Sequence, residues 1–166
     1  CFMIEMIVLD VDGCLTDGRI YYTDAGEEVK AFSVKDGLGI SAWVRLGKKV
    51  AIITGRRSKI VERRAKELGV THLHQGVKDK KTLLTSILEE DGLKWEQVAA
   101  IGDDWNDLAM LECVGWSFTP ADGASCIRNR VQTRLTNKGG RGAVREMIDR
   151  ILEKDGLEGS MEELWH

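Results

Sequence analysis

Five short runs, mostly apolar except for His72-Leu73-His74, recur along the chain, and each gives way to a stretch with helical periodicity. The runs cover residues 4–9, 49–53, 72–74, 98–101 and 115–118, and the helical patterns cover 37–46, 58–68, 80–90, 104–111 and 141–154. Strands that are apolar on both faces need cover on both faces, and strand–helix alternation supplies it. The pattern predicts an α/β fold, a doubly wound parallel sheet with helices on either side. In such sheets ligands bind beyond the carboxyl ends of the strands. Asp10, Thr54 and Asp103 each follow an apolar run, so each is expected on that rim.

One segment departs from the alternation. Residues 19–33 read as a β-hairpin turning at Asp24-Ala25-Gly26-Glu27, and a lone hairpin is marginal in water. Tyr21, Val29 and Phe32 therefore need a surface to pack on, either a neighbouring subunit or the hairpin's own domain. The single proline, Pro120, marks a loop. The tail at 155–166 is polar with a few apolar residues, Leu157, Met161, Leu164 and Trp165, and is expected to be either frayed or docked.

With 166 residues the chain is long enough for one domain spanning 1–166, burying roughly 70% of its unfolded surface. Its net charge of −3 leaves no basic excess for a nucleic-acid backbone. No apolar run approaches the ~18 residues of a membrane span, and the start lacks a signal-peptide pattern, so a cytoplasmic location is expected. Cys1, Cys14, Cys113 and Cys126 are scattered without a CxxC pair. They read as small buried residues in a reducing compartment rather than as disulfides or a metal site.

The chemistry concentrates at the strand ends. In Asp10-Val11-Asp12-Gly13 two carboxylates follow an apolar run, spaced so that in an extended strand both point the same way. Held that close they repel unless a cation or shared proton intervenes. Asp103, Asp104 and Asp107 bring further acids after another strand, more than a helix cap requires. Thr54-Gly55 offers a hydroxyl and a free N–H at a strand end before a helix, a ready anion site. Lys80 stands in a lysine cluster where a helix begins, against the helix dipole, which hints at a partner anion.

Taken together these pieces resemble the haloacid dehalogenase-like superfamily of aspartyl-phosphate phosphatases. Its four motifs are matched in order by Asp10-Val11-Asp12-Gly13, Thr54-Gly55, Lys80 and Gly102-Asp103-Asp104 with Asp107. The resemblance implies that Asp10 attacks phosphorus while Asp12 protonates the leaving group and later activates water. It also implies that Thr54 and Lys80 hold phosphoryl oxygens. Mg²⁺ would be bound by Asp10, Asp103 and Asp12, the last through its main-chain carbonyl, with Asp104 and Asp107 orienting metal waters or Lys80.

Within the superfamily the chain is most similar to the small enzymes that dephosphorylate 3-deoxy-D-manno-octulosonate (Kdo) 8-phosphate, a precursor of bacterial lipopolysaccharide. The likeness spans nearly the whole chain. It includes Gly26-Glu27-Glu28-Val29-Lys30-Ala31-Phe32 and, most specifically, Gly139-Gly140-Arg141-Gly142-Ala143-Val144-Arg145-Glu146. Cys14, Lys81 and Trp105 depart from it, standing where aliphatic residues are usual. The resemblance implies a Rossmannoid domain without a separate cap, and a homotetramer in which neighbouring hairpins roof each active site.

Substrate contacts are expected from the backbone at Gly13 and Gly55 and from Arg56, Arg64 and Arg141, whose guanidinium forks suit the carboxylate of a phosphorylated sugar acid. Lys30, Phe32 and Asp36 are further candidates, although Asp36 also fits an N-cap. Arg56 favours the eight-carbon substrate over nine-carbon ketoaldonate 9-phosphates, whose enzymes are expected to carry an acid there. The rival readings are a signalling receiver, excluded by the order of acids and lysine, and a non-catalytic sugar-phosphate-binding module, opposed by the intact motifs.

Overall fold

A computed structural model describes residues 2–166; Cys1 lies outside them. The chain runs through β1 (Met6–Leu9), β2 (Tyr21–Tyr22), β3 (Glu28–Val29), α1 (Val34–Arg45), β4 (Lys49–Ile53), α2 (Lys59–Leu68) and β5 (His72–His74). It continues through α3 (Lys80–Asp91), β6 (Val98–Ile101), α4 (Leu108–Leu111), β7 (Trp116–Thr119), α5 (Ser125–Arg128), β8 (Thr133–Arg134), α6 (Ala143–Asp155) and α7 (Glu158–Glu163).

Six strands form one sheet in the order β5-β4-β1-β6-β7-β8, and every pairing in it is parallel. The strand order reverses around β1, so the crevice for a ligand opens beyond the ends of β1, β4 and β6. Leu9 lies level with Ile52 and Ile101, which brings the residues that follow these three strands to within one residue of the same height.

Alternation along the strands divides the core in two. Ile7, Leu9, Val50, Ile52, Ala99 and Ile101 face the helices α1, α2 and α6. Met6, Val8, Ala51, Ile53, Val98 and Ala100 face α3 and α4. Each central strand is buried on both faces, which is why its sequence is apolar without interruption. No helix among the described residues is long and apolar enough to cross a membrane.

Several boundaries differ from the expectation, each for a local reason. β1 begins at Met6, two residues late. α1 begins at Val34, three residues early, because the Ser33 hydroxyl accepts from Asp36 N and starts the helix there. Asp36 therefore does not cap its own helix; its carboxylate accepts from Arg145 N, at the start of α6. The helix expected over 104–111 divides into a tight turn at Trp105–Asp107 and the short α4. β7 runs to Thr119 and stops at Pro120, which has no N–H to continue a ladder. β8 and α5 have no counterpart in the sequence pattern, since two and four residues carry no readable period.

The tail is docked. α7 packs Met161 onto the core, and Arg45 reaches over it to the Leu164 carbonyl and the face of the Trp165 ring. Only Cys14 of the described cysteines is buried; Cys113 and Cys126 are half-exposed, so the expectation of burial fails for those two. The hairpin pairs just two residues from each strand and leaves Tyr21, Tyr22 and Val29 exposed. Its returning limb folds onto the body, where Phe32 packs against the core.

Candidate active site

Beyond Leu9 the backbone stays extended for one residue, Asp10, and then closes a wide turn over Val11–Leu15, with Thr16 N bonded to Val11 O at 3.0 Å. The strand thus ends before either acid, and Asp12 sits in the turn rather than in the extended segment expected of it. The two still meet one cavity. A hollow of about 210 Å³ is lined by Asp10, Asp12, Thr54, Gly55, Arg56, Asp103, Asp104 and Asn106.

Gly13 explains its own presence. Its φ is +94°, and a Cβ there would fall 1.8 Å from Asp103 Oδ2. A side chain is excluded both by conformation and by the carboxylate that must approach. Beneath the turn lie Gly139 and Gly140. A Cβ on Gly139 would stand 1.8 Å from the Gly13 carbonyl oxygen, and Gly140 N donates to Cys14 O at 3.0 Å. Gly139 and Gly140 therefore serve close backbone approach to the acid-bearing loop.

Lys80 is the first residue of α3, and its ammonium is buried between Asp10 Oδ1 at 3.0 Å and Asp107 Oδ1 at 2.6 Å. Burial alone favours the neutral amine, but these two carboxylates outweigh it and hold Lys80 above the ordinary lysine range. Asp107 also accepts from Asp103 N at 2.9 Å, so one buried acid fixes both the lysine and the loop after β6. Asp104 does otherwise. Its carboxylate accepts from Trp105 N at 2.8 Å and makes no bond to Lys80, so orienting the lysine falls to Asp107.

Asp10 and Asp103 are the residues that fit a divalent cation. Their carboxylate oxygens approach within 4.8 Å. Burial first, and neighbouring acids second, push both carboxyls well above the usual range. Such a pair is relieved by positive charge between the oxygens, and Mg²⁺ takes a few carboxylates while keeping several waters. The Cys14 sulfur lies equally near, but burial keeps its thiol protonated and Mg²⁺ prefers oxygen. The Asp12 carboxylate points elsewhere, to Lys30 Nζ at 2.7 Å.

Thr54, buried at the end of β4, is held by its backbone between His74 O and Val77 N, and it lines the hollow together with Gly55 and Arg56. Two of the expected substrate contacts are not brought to it within this chain. Arg64 lies along the next groove, stacked over Phe32 at 5.7 Å and bonded to Glu67. Arg141 is exposed beside Asp17. Asn106 joins the lining without having been expected there; it lies inside the acidic run but carries no charge to draw notice. A larger hollow of about 560 Å³ opens near the amino ends of the strands among Phe2, Ile4 and Trp116. It holds none of these groups, and chemistry rather than size identifies the site.

Residues 38–115 match the haloacid dehalogenase-like hydrolase family. The chain is 46% identical over 158 residues to the 3-deoxy-D-manno-octulosonate 8-phosphate phosphatase KdsC of Yersinia pestis, covering 95% of this chain and 84% of that one. A crystal structure of that phosphatase from Yersinia pestis superposes with a TM-score of 0.91, covering 94% and 85% of the two chains. The enzyme of the same name from Moraxella catarrhalis, solved with magnesium, phosphate and KDO, gives a TM-score of 0.94 at 40% identity over 98% of this chain and 94% of that one. Buried acids, lysine and threonine on one rim of this sheet, joined to that degree of identity, mean that the chain belongs to the 3-deoxy-D-manno-octulosonate 8-phosphate phosphatases of the haloacid dehalogenase-like superfamily.

Proposed function

We propose that the chain hydrolyses Kdo 8-phosphate to Kdo and inorganic phosphate by way of a phosphorylated Asp10. The observation that carries this reading is the ion pair of the buried Lys80 with Asp10, which lines the same hollow as Asp12, Thr54 and Asp103. Lys80 favours the ionised form of Asp10 against its burial and fixes its direction, as suits a nucleophile at phosphorus.

Mg²⁺, held by Asp10, Asp103 and the main-chain carbonyl of Asp12, supplies positive charge against the phosphoryl dianion. Thr54 and Lys80 hold two phosphoryl oxygens, and the backbone at Gly13 and Gly55 borders them. A carboxylate oxygen of Asp10 then bonds phosphorus as the bond from phosphorus to the sugar oxygen breaks. That departing oxygen takes its proton from the Asp12 carboxyl. In the second half Asp12, now a carboxylate, takes a proton from water as the water oxygen attacks phosphorus. Inorganic phosphate leaves and the Asp10 carboxylate is restored. Asp12 suits this exchange because its carboxylate lies outside the Asp10–Asp103 pair and remains partly open to solvent.

Arg56, on the lip of the hollow, receives the substrate carboxylate. The exposed apolar residues Ile20, Tyr22, Val29 and Val34 support a homotetramer, with neighbouring hairpins completing each site and bringing Arg64 or Arg141 to bear. The reading includes a cytoplasmic location, where a soluble sugar phosphate is both made and used.

A panel of sugar phosphates measured by kcat/KM tests the substrate. Kdo 8-phosphate is expected to lead, and a higher value for a nine-carbon ketoaldonate 9-phosphate would replace it. EDTA is expected to stop turnover and Mg²⁺ to restore it. Sizing chromatography that finds a fully active monomer would remove the tetramer.

A further inference from the structure

Lys30 stands one residue beyond β3, where the hairpin returns to the body of the fold. Its side chain is only 2% exposed, and its ammonium meets Asp12 Oδ1 at 2.7 Å and Glu28 Oε1 at 2.8 Å. A covered ammonium is costly unless paired, so this is no solvated surface lysine. The segment around it is pinned. Phe32 packs on the core two residues later, and Ser33 caps α1 immediately after that. On the outgoing limb Tyr21 donates to Asp17 Oδ2 at 2.7 Å.

Among the described residues no other side chain hydrogen-bonds the Asp12 carboxylate. Lys30 takes Oδ1 and leaves Oδ2 free to carry a proton. A carboxyl free to swing would present that proton to the departing oxygen only part of the time, and loss of alignment is expensive in rate.

We propose that Lys30 is a positioning residue for the acid–base step: by anchoring Asp12 Oδ1 it aims Oδ2 at the leaving-group oxygen, and it makes that aim depend on the seated hairpin. The proposal rests on Asp12 being the acid–base group of the proposed reaction. In the first half-reaction the proton on Oδ2 passes to the departing oxygen as its bond to phosphorus breaks; in the second, Oδ2 takes a proton from water. Lys30 exchanges no proton in either half.

The experiment is kcat/KM in saturating Mg²⁺ for benzyl phosphate and p-nitrophenyl phosphate, neither of which needs the sugar site. An alkoxide requires a proton to leave, whereas p-nitrophenolate does not. In Lys30→Met the benzyl-to-nitrophenyl ratio is expected to fall by about tenfold or more, a modest share of what general acid catalysis supplies. Lys30→Arg is expected to recover most of it. In an Asp12→Asn background Lys30→Met is expected to move the ratio no further. Equal losses on both esters, or an unchanged ratio, overturn the proposal. Should Lys30→Met fail to fold, Lys30→Gln is measured in its place, and the same two results would overturn the proposal. Asp12→Asn with the wild-type ratio would remove the acid–base reading itself and the proposal with it, and so separates the two failures.

Discussion

Two lysines serve the two acids of the first motif, and they are built into the protein in opposite ways. Lys80 opens a helix of the main body and is buried between Asp10 and Asp107, the latter wholly enclosed. Lys30 hangs on a hairpin whose ladder pairs only two residues a side, and its partners Asp12 and Glu28 stay about one-fifth exposed. Asp10, the proposed nucleophile, is tied to the core through Lys80. Asp12, the proposed acid–base group, is tied to a peripheral flap, nearer water. One site thus draws rigidity from the sheet and adaptability from an appendage.

Substitutions on each side should separate these roles. The largest effect belongs to Asp10→Asn, expected to cut turnover of p-nitrophenyl phosphate by on the order of 10⁵-fold while leaving the circular dichroism spectrum unchanged. A variant with wild-type turnover would dismiss Asp10 as nucleophile. Lys80→Met comes next. It leaves Asp10 and Asp107 buried without their cation, so urea denaturation in EDTA should show a loss of about 3–5 kcal/mol. A stability equal to wild type would mean that the core does not depend on this ion pair. Glu28→Gln is the mildest. It removes one partner from Lys30 and one from Arg56, 3.7 Å away. An ion pair so near the surface is worth about 0–1 kcal/mol, so the benzyl-to-nitrophenyl ratio should move by about fivefold at most. A larger shift would place Glu28 on a par with Lys30 and erase the contrast between sealed and shallow clusters.

The parts legible from sequence are those with a strong local cause. β4 and β6 fall on their expected residues because each is a short, mostly apolar run ahead of a helical pattern, and β5 does so although only Leu73 in it is apolar. Asp10, Thr54, Lys80 and Asp103 are legible because each follows or faces a strand end. What stays hidden depends on distant contacts. Nothing near Asp36 says that it meets Arg145 N, 109 positions away. Lys30 reads only as one further candidate for substrate contact, and its pairing with Asp12, 18 positions away, comes from the fold. Arg64 and Arg141 attract notice for their chemistry, but the fold turns one towards Phe32 and Glu67 and leaves the other beside Asp17.

The glycine pair beneath the acid-bearing turn has a consequence for biosynthesis. Every acid, hydroxyl and amine assigned to the reaction has been added to the chain by residue 107, yet the floor on which their loop rests arrives only with Gly139 and Gly140. A nascent chain arrested between those points would hold the full chemical complement without the support that shapes it. Competence should appear late in translation, when the last third of the polypeptide closes under the first.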